Sequence, residues 1–153
     1  MSHSRSTNRL AGLLALAALL LALSLSAQER SQQFGEFTLH YNAVPTVDLE
    51  PEIARRYEIP RSQRRGLLTV SLVRDGAPVA ATVNARSENL AGQIQTLRMR
   101  EISEGEAVYY IGTYRATEKE ELAFTISAQP EGAEAGPFEV VFEHTFFGRD
   151  QAQ

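Results

Sequence analysis

The 153-residue chain carries 15 basic and 19 acidic residues for a net charge of −4, and it has no cysteine. The acidic balance argues against nucleic acid as a partner. Without cysteine there are no disulfides, no thiolate metal sites and no thiol redox chemistry, while the length is enough for one domain with its own core.

The chain opens on MSHSRSTNR, where Arg5 and Arg9 stand without an acid, and continues as an apolar stretch from Leu10 to Leu25. Ser24 and Ser26 then supply small residues at the minus-three and minus-one positions of a cleavage site. This pattern predicts a signal peptide over residues 1–26, cut after Ser26 or Ala27, and a single domain over 27–153. The competing reading, an uncleaved anchor, needs about 20 apolar residues to cross a bilayer, and this stretch falls short. No cysteine follows to carry a lipid and no twin-arginine pair precedes, which leaves the general secretory route to the periplasm, with no stable membrane insertion after cleavage. Removal of the segment takes away two arginines and no acid, so the remaining domain is the more acidic.

Seven stretches rich in β-branched and aromatic residues follow, at about 34–43, 67–74, 78–87, 93–102, 107–114, 121–129 and 137–147, separated by turn signals. Between the first two lies DLEPEIARRYEIP, which breaks the β pattern. Pro51 suits the first turn of a helix, Glu50 and Glu52 sit near its positive end, and Arg55 and Arg56 near its negative end. One short helix is predicted near residues 50–58, with Ile53 and Tyr57 facing the core together and Pro60 ending it.

The segment ARRYEIPRSQRRG places Arg55, Arg56, Arg61, Arg64 and Arg65 close together. Planar guanidinium groups suit carboxylates and phosphates, so these five form the candidate anion- or partner-binding set. The competing reading is a solvated corner, and it is favoured because arginine is the chain's default cation: Lys119 is its one lysine. Arg61, next to Ser62 at the strand entrance, is set apart as a residue that ties the loop to strand carbonyls.

Further along, Leu68, Val70 and Leu72 share one face, as do Val79, Ala81 and Val83 on the next strand. The Asp-Gly pair in RDGAP predicts a tight hairpin, and SEGEA at 103–107 a short loop. In VYYIGTY, Tyr110, Gly112 and Tyr114 fall on one face and Tyr109 with Ile111 on the other, which reads as packing on both sides of a sheet. Alternation is cleanest in ELAFTISA, where Leu122, Phe124 and Ile126 point one way. PEGAEAGP at 130–137 is a loop, and Phe138, Val140, Phe142 and Phe146 close the chain on one face. The fold predicted is all-β: an immunoglobulin-like antiparallel β-sandwich of about seven strands with one short helix. A small barrel is the alternative.

The stretches QQFGEFTLHYNA, LEPEIARRYEIPRSQRRGLLTVSL, NLAGQI with LRMREI, and AVYYIGTY together resemble domain-of-unknown-function family 4426, small exported proteins of Gram-negative bacteria. The resemblance spans about residues 32–147 and rests on the P-E-x-A-x-x-Y-x-I-x-R-S and A-x-Y-Y-I runs. It implies an exported all-β domain and carries over no catalytic residue.

Reactive constellations are sparse. His40 is expected to point outward and His144 inward, on opposite sides of their sheets, so no joint metal site is expected. No serine elbow is present, and the pairs Glu104 with Glu106 and Glu118 with Glu120 read as solvated loops. No cofactor is called for. The favoured function is a non-enzymatic binding or accessory module of the periplasm, its partner an unknown periplasmic protein or small ligand. The alternative is a binder of a small anionic ligand or polyanion at the arginine-rich corner 55–65. An enzyme ranks last, since a fold by itself supplies no activity.

Overall fold

The computed structural model describes residues 30–148, so the predicted signal peptide lies outside the described residues. Two antiparallel sheets pack face to face. Ten strands build them among the described residues: β1 (Arg30–Phe34), β2 (Phe37–Pro45), β3 (Arg65–Arg74), β4 (Ala77–Pro78), β5 (Ala81–Asn89), β6 (Ile94–Leu97), β7 (Arg100–Glu104), β8 (Ala107–Arg115), β9 (Glu121–Pro130) and β10 (Phe138–Thr145). One sheet runs β1-β2-β3-β8-β7, with β4 also on β3, and the other runs β10-β9-β5-β6. The expected all-β sandwich is what forms.

The strand count exceeds the expected seven at three places, one of them the predicted strand 78–87, which divides into β4 on β3 in one sheet and β5 on β9 in the other. The predicted strand 34–43 crosses a two-residue turn, because Phe34 pairs with Phe37 across Gly35-Glu36 and Gly35 takes φ +60. A glycine at the first turn position supplies that backbone without steric penalty. The predicted strand 93–102 breaks after Leu97: β6 pairs with β5 in one sheet and β7 with β8 in the other. The Asp75-Gly76 hairpin forms as expected, both residues with positive φ.

The period-2 pattern places the core. Leu39, Leu68, Val70, Leu72, Tyr114, Phe124, Ile126, Val140 and Phe146 are buried between the sheets. A second, smaller core forms on the outer face of the β3–β8 sheet, where Val44, Leu67 and Ile111 meet Leu49, Ala54, Tyr57 and Ile59. The cover is a 3-10 turn (Thr46–Asp48) followed by helix α1 (Pro51–Arg56). Pro51 starts α1 as expected, and Ile53 packs beside Tyr57. Glu58, at φ +53, ends the helix ahead of Pro60. The Tyr57 hydroxyl donates to the Glu104 carboxylate of β7, fastening the cover to the sheet. Burial, then the Glu104 bond and charge, push the Tyr57 pKa up to about 12, against a smaller opposing effect of Arg56.

Candidate functional site

The five arginines do not converge. Arg55 and Arg56 are exposed on α1, over the outer face of the sheet. Arg61 donates through Nη2 to the Val47 carbonyl at 2.8 Å, so it does tie the loop down, but to the 3-10 turn that follows β2 and not to a strand carbonyl as expected. Beside it, the Thr46 hydroxyl accepts from the Ser62 N–H at 2.9 Å and donates to the Ser62 carbonyl at 3.2 Å. Residues 61 and 62 are thus stapled to the end of β2, which aims the chain into β3. The Ser62 hydroxyl accepts from the Arg64 N–H, and β3 begins at Arg65.

Arg64 and Arg65 reach a different place. They line a cleft of about 560 Å³ at the end of the sandwich, with Ser62, Arg115, Ala116 and Thr117 on the same side. The β5–β6 hairpin faces them with Ser87, Asn89, Ile94 and Gln95, and Glu120 and Leu122 complete the wall. The β3–β8 register sets Arg65 directly opposite Arg115. Arg65 donates through Nη1 to the Thr113 hydroxyl at 3.4 Å, a long contact.

Polar side chains of the cleft hold it together. Gln95 on β6 accepts from the Arg115 N–H at 2.8 Å and donates to the Arg115 carbonyl at 3.1 Å, so one amide imitates a strand partner across the two sheets. Asn89 accepts from the N–H groups of Ala91 and Gln93 and donates to Gln93 and Glu120. Glu120 also accepts from the backbone and hydroxyl of Thr117. Burial alone raises the Glu120 pKa, but the bonds from Asn89 and Thr117 outweigh it and hold the carboxyl below its usual value. Ser87 differs: it is 1 % exposed, and its hydroxyl has no hydrogen-bond partner among the described residues.

Sequence reasoning missed Arg115, Ser87, Asn89 and Gln95. Ser87 carried a signal, since it shares the parity of Ala81 and Val83 and so points inward. The pairing of Arg65 with Arg115 depends on strand register, which the sequence does not display.

A second cleft, of about 540 Å³, lies beside the first. Arg30, Glu88, Glu121, Glu143 and His144 line it. His144 sits on the inward face of β10, and burial, reinforced by the charge of Arg30, lowers its pKa. His40 lies on β2 in the other sheet. Among the described residues no group of three or more metal-ligating side chains forms.

The division of labour among the arginines predicts a ranking. Replacing Arg55, Arg56 and Arg64 together by Gln should change stability by only about 1 kcal/mol, since exposed charges contribute tenths each. Arg61→Gln alone should cost about 1–2 kcal/mol through the lost carbonyl bond. Urea unfolding measures both, and a triple variant weaker than Arg61→Gln would refute the assignment.

The family model of DUF4426, a domain of unknown function, matches residues 31–149. The chain belongs to the DUF4426 family. A crystal structure of a DUF4426 family protein from Pseudomonas aeruginosa superposes with a TM-score of 0.70 at 30% identity, covering 80% of this chain and 97% of that one. FetP of uropathogenic Escherichia coli strain F11, recombinantly expressed in the periplasm, superposes at 0.61 with 15% identity over 81% of this chain and 97% of FetP. A copper-bound variant of FetP gives 0.59 with 14% identity, over 78% and 95%. At those identities the likeness to FetP is one of fold. A search of the curated proteins found no match. Copper is bound by that FetP variant; in this DUF4426 chain, among the described residues, His40 and His144 belong to different sheets and the Met99 sulfur packs against Gly112 of β8. Among the described residues no helix is long and apolar enough to cross a membrane.

Proposed function

We propose that the protein is an exported, non-catalytic binding module that takes a small ligand in the cleft between the ends of its sheets. The observation that carries this reading is the cleft's construction: a volume of about 560 Å³, side chains bonded to one another around its rim, and a buried serine hydroxyl at its wall with its bonding capacity unused. Concave sites of this size, with a few placed polar groups among apolar ones, are where proteins bind small molecules. Export is supported by the charged, then apolar, amino terminus and agrees with the periplasmic expression of FetP. The acidic net charge favours a partner other than nucleic acid.

Protein recovered from a periplasmic fraction tests both halves of the proposal. Terminal sequencing should find Ala27 or Gln28 first; intact Met1 on a membrane-bound protein would refute export by cleavage. Native mass spectrometry of the same protein, incubated with a periplasmic extract, should detect a small bound molecule that is lost in Ile94→Trp. Ile94 lines the cleft yet is 58% exposed, so the larger side chain narrows the mouth without entering the core. An adduct that persists in this variant, or none in the parent, would overturn the reading.

A further inference from the structure

We propose that the seam where β1 meets β10 is an acid-operated gate: protonation of His144 beside Arg30 lifts the Arg30 end of β1 off β10 and exposes the aromatic side chains between them.

Strand parity places both groups inside this seam. Arg30 pairs with Tyr41 and His144 with Leu122, and both partners belong to the core between the sheets. β1 and β10 end their respective sheets, and no ladder joins them. Side chains hold the seam instead. Phe34 stacks on Phe138 at 4.8 Å, and the Arg30 guanidinium lies 4.9 Å from the centre of the Phe142 ring, a cation–π contact. Phe142 packs in turn on Tyr41 and Phe124. His144 is the next inward position of β10 after Phe142, with its ring 6.5 Å from that of Phe124.

A neutral imidazole suits this place and a charged one does not. Its Nε2 is buried without a hydrogen-bond partner among the described residues. Charging makes both ring nitrogens donors and sets a second cation beside Arg30. The nearby carboxylates face elsewhere. Glu88 of β5 and Glu143 of β10 both pair with Ala123, and Glu121 of β9 pairs with Thr145, so all three leave the opposite face of the sheet from His144. Glu120 is engaged by Asn89 and Thr117. Burial, and then the charge of Arg30, put the His144 pKa below its ordinary 6.5. The open seam therefore takes up a proton more readily than the closed one, and the closed form loses stability as pH falls below 6.5. Of the two strands β1 is the one to yield: it pairs with β2 over five residues, whereas β10 pairs with β9 over eight.

The test expresses the full chain, purifies the protein that accumulates, and follows it by NMR from about pH 8 to pH 5, above the carboxylate range. The β1 amides bonded to β2 should exchange faster, after correction for intrinsic rates, as the His144 imidazole titrates, by at most about tenfold per pH unit. Their exchange should depend little on urea, whereas amides of β3 should exchange through global unfolding, which urea accelerates steeply. His144→Leu should abolish the pH response of β1. Arg30→Gln should raise the His144 pKa and shrink the response, and His40→Gln should leave it intact. The parent titration and the Arg30 variant read the gate even where His144→Leu fails to fold. β1 exchange that stays constant while His144 titrates, or that matches β3 in rate and urea dependence, would overturn the gate. A pH response that survives His144→Leu, or disappears in His40→Gln, would overturn it as well.

Discussion

Phe124→Ala is expected to lower stability by about 3–5 kcal/mol, the range for emptying a fully buried aromatic site. Phe124 has no exposed surface. Its ring stacks on Phe142 at 5.1 Å between centroids and meets Tyr114 edge-on at 4.8 Å. Its neighbours therefore come from both sheets, and since close-packed interiors relax only in part around a void, the cavity persists. With domain stabilities of about 5–15 kcal/mol, this is a large share of the total. Denaturant unfolding should show a lower midpoint at unchanged slope. A loss below about 1 kcal/mol would mean that the strand face is misassigned. Phe124 also pairs with Ser87 across β9 and β5, so the same truncation loosens the wall of the cleft and should weaken any ligand held there.

Phe124 illustrates which features the sequence displays. In ELAFTISA every second residue is apolar, and that alternation is a local property of the chain that tells which way each side chain points. The same holds for Leu68, Val70 and Leu72, and for Asp75-Gly76, whose left-handed backbone is a local demand. Pro51 and the Ile53–Tyr57 spacing likewise announced the helix and its buried face. The misses were non-local or too short to register. Phe34 and Phe37 look like one strand until Gly35 turns the chain back on itself. The stretch 93–102 reads as one strand because periodicity does not say which sheet a strand joins, and the chain changes sheets after Leu97. The candidate site was half visible for the same reason. Five arginines adjacent in sequence suggested one patch, whereas folding sends Arg55 and Arg56 to the helix surface, uses Arg61 as a staple, and brings Arg64 and Arg65 to Arg115, about fifty residues further along.

Gly66→Ala should be about as damaging as losing the Phe124 ring, and for the opposite reason. Gly66 pairs with Tyr114 in the β3–β8 ladder, and the Tyr114 ring lies over it: a Cβ there would stand 2.0 Å from Cζ and 2.3 Å from the hydroxyl oxygen. Such separations are far inside van der Waals contact, so the ring or the strand must move. The ring has nowhere to go. Tyr114 is fully buried, edge-on to Phe124 and to Phe146 at 6.1 Å, and burial alone drives its hydroxyl pKa well above the usual tyrosine value. Overpacking of this kind costs about 1–3 kcal/mol and at times more, and a clash with an immobile ring belongs at or beyond the upper end. The added methyl acts only through Tyr114, so Tyr114→Leu should relieve part of the damage. A double-mutant cycle then reads a coupling of about 1–3 kcal/mol in the favourable direction; additive effects would show that Gly66 is required for the backbone rather than for the ring.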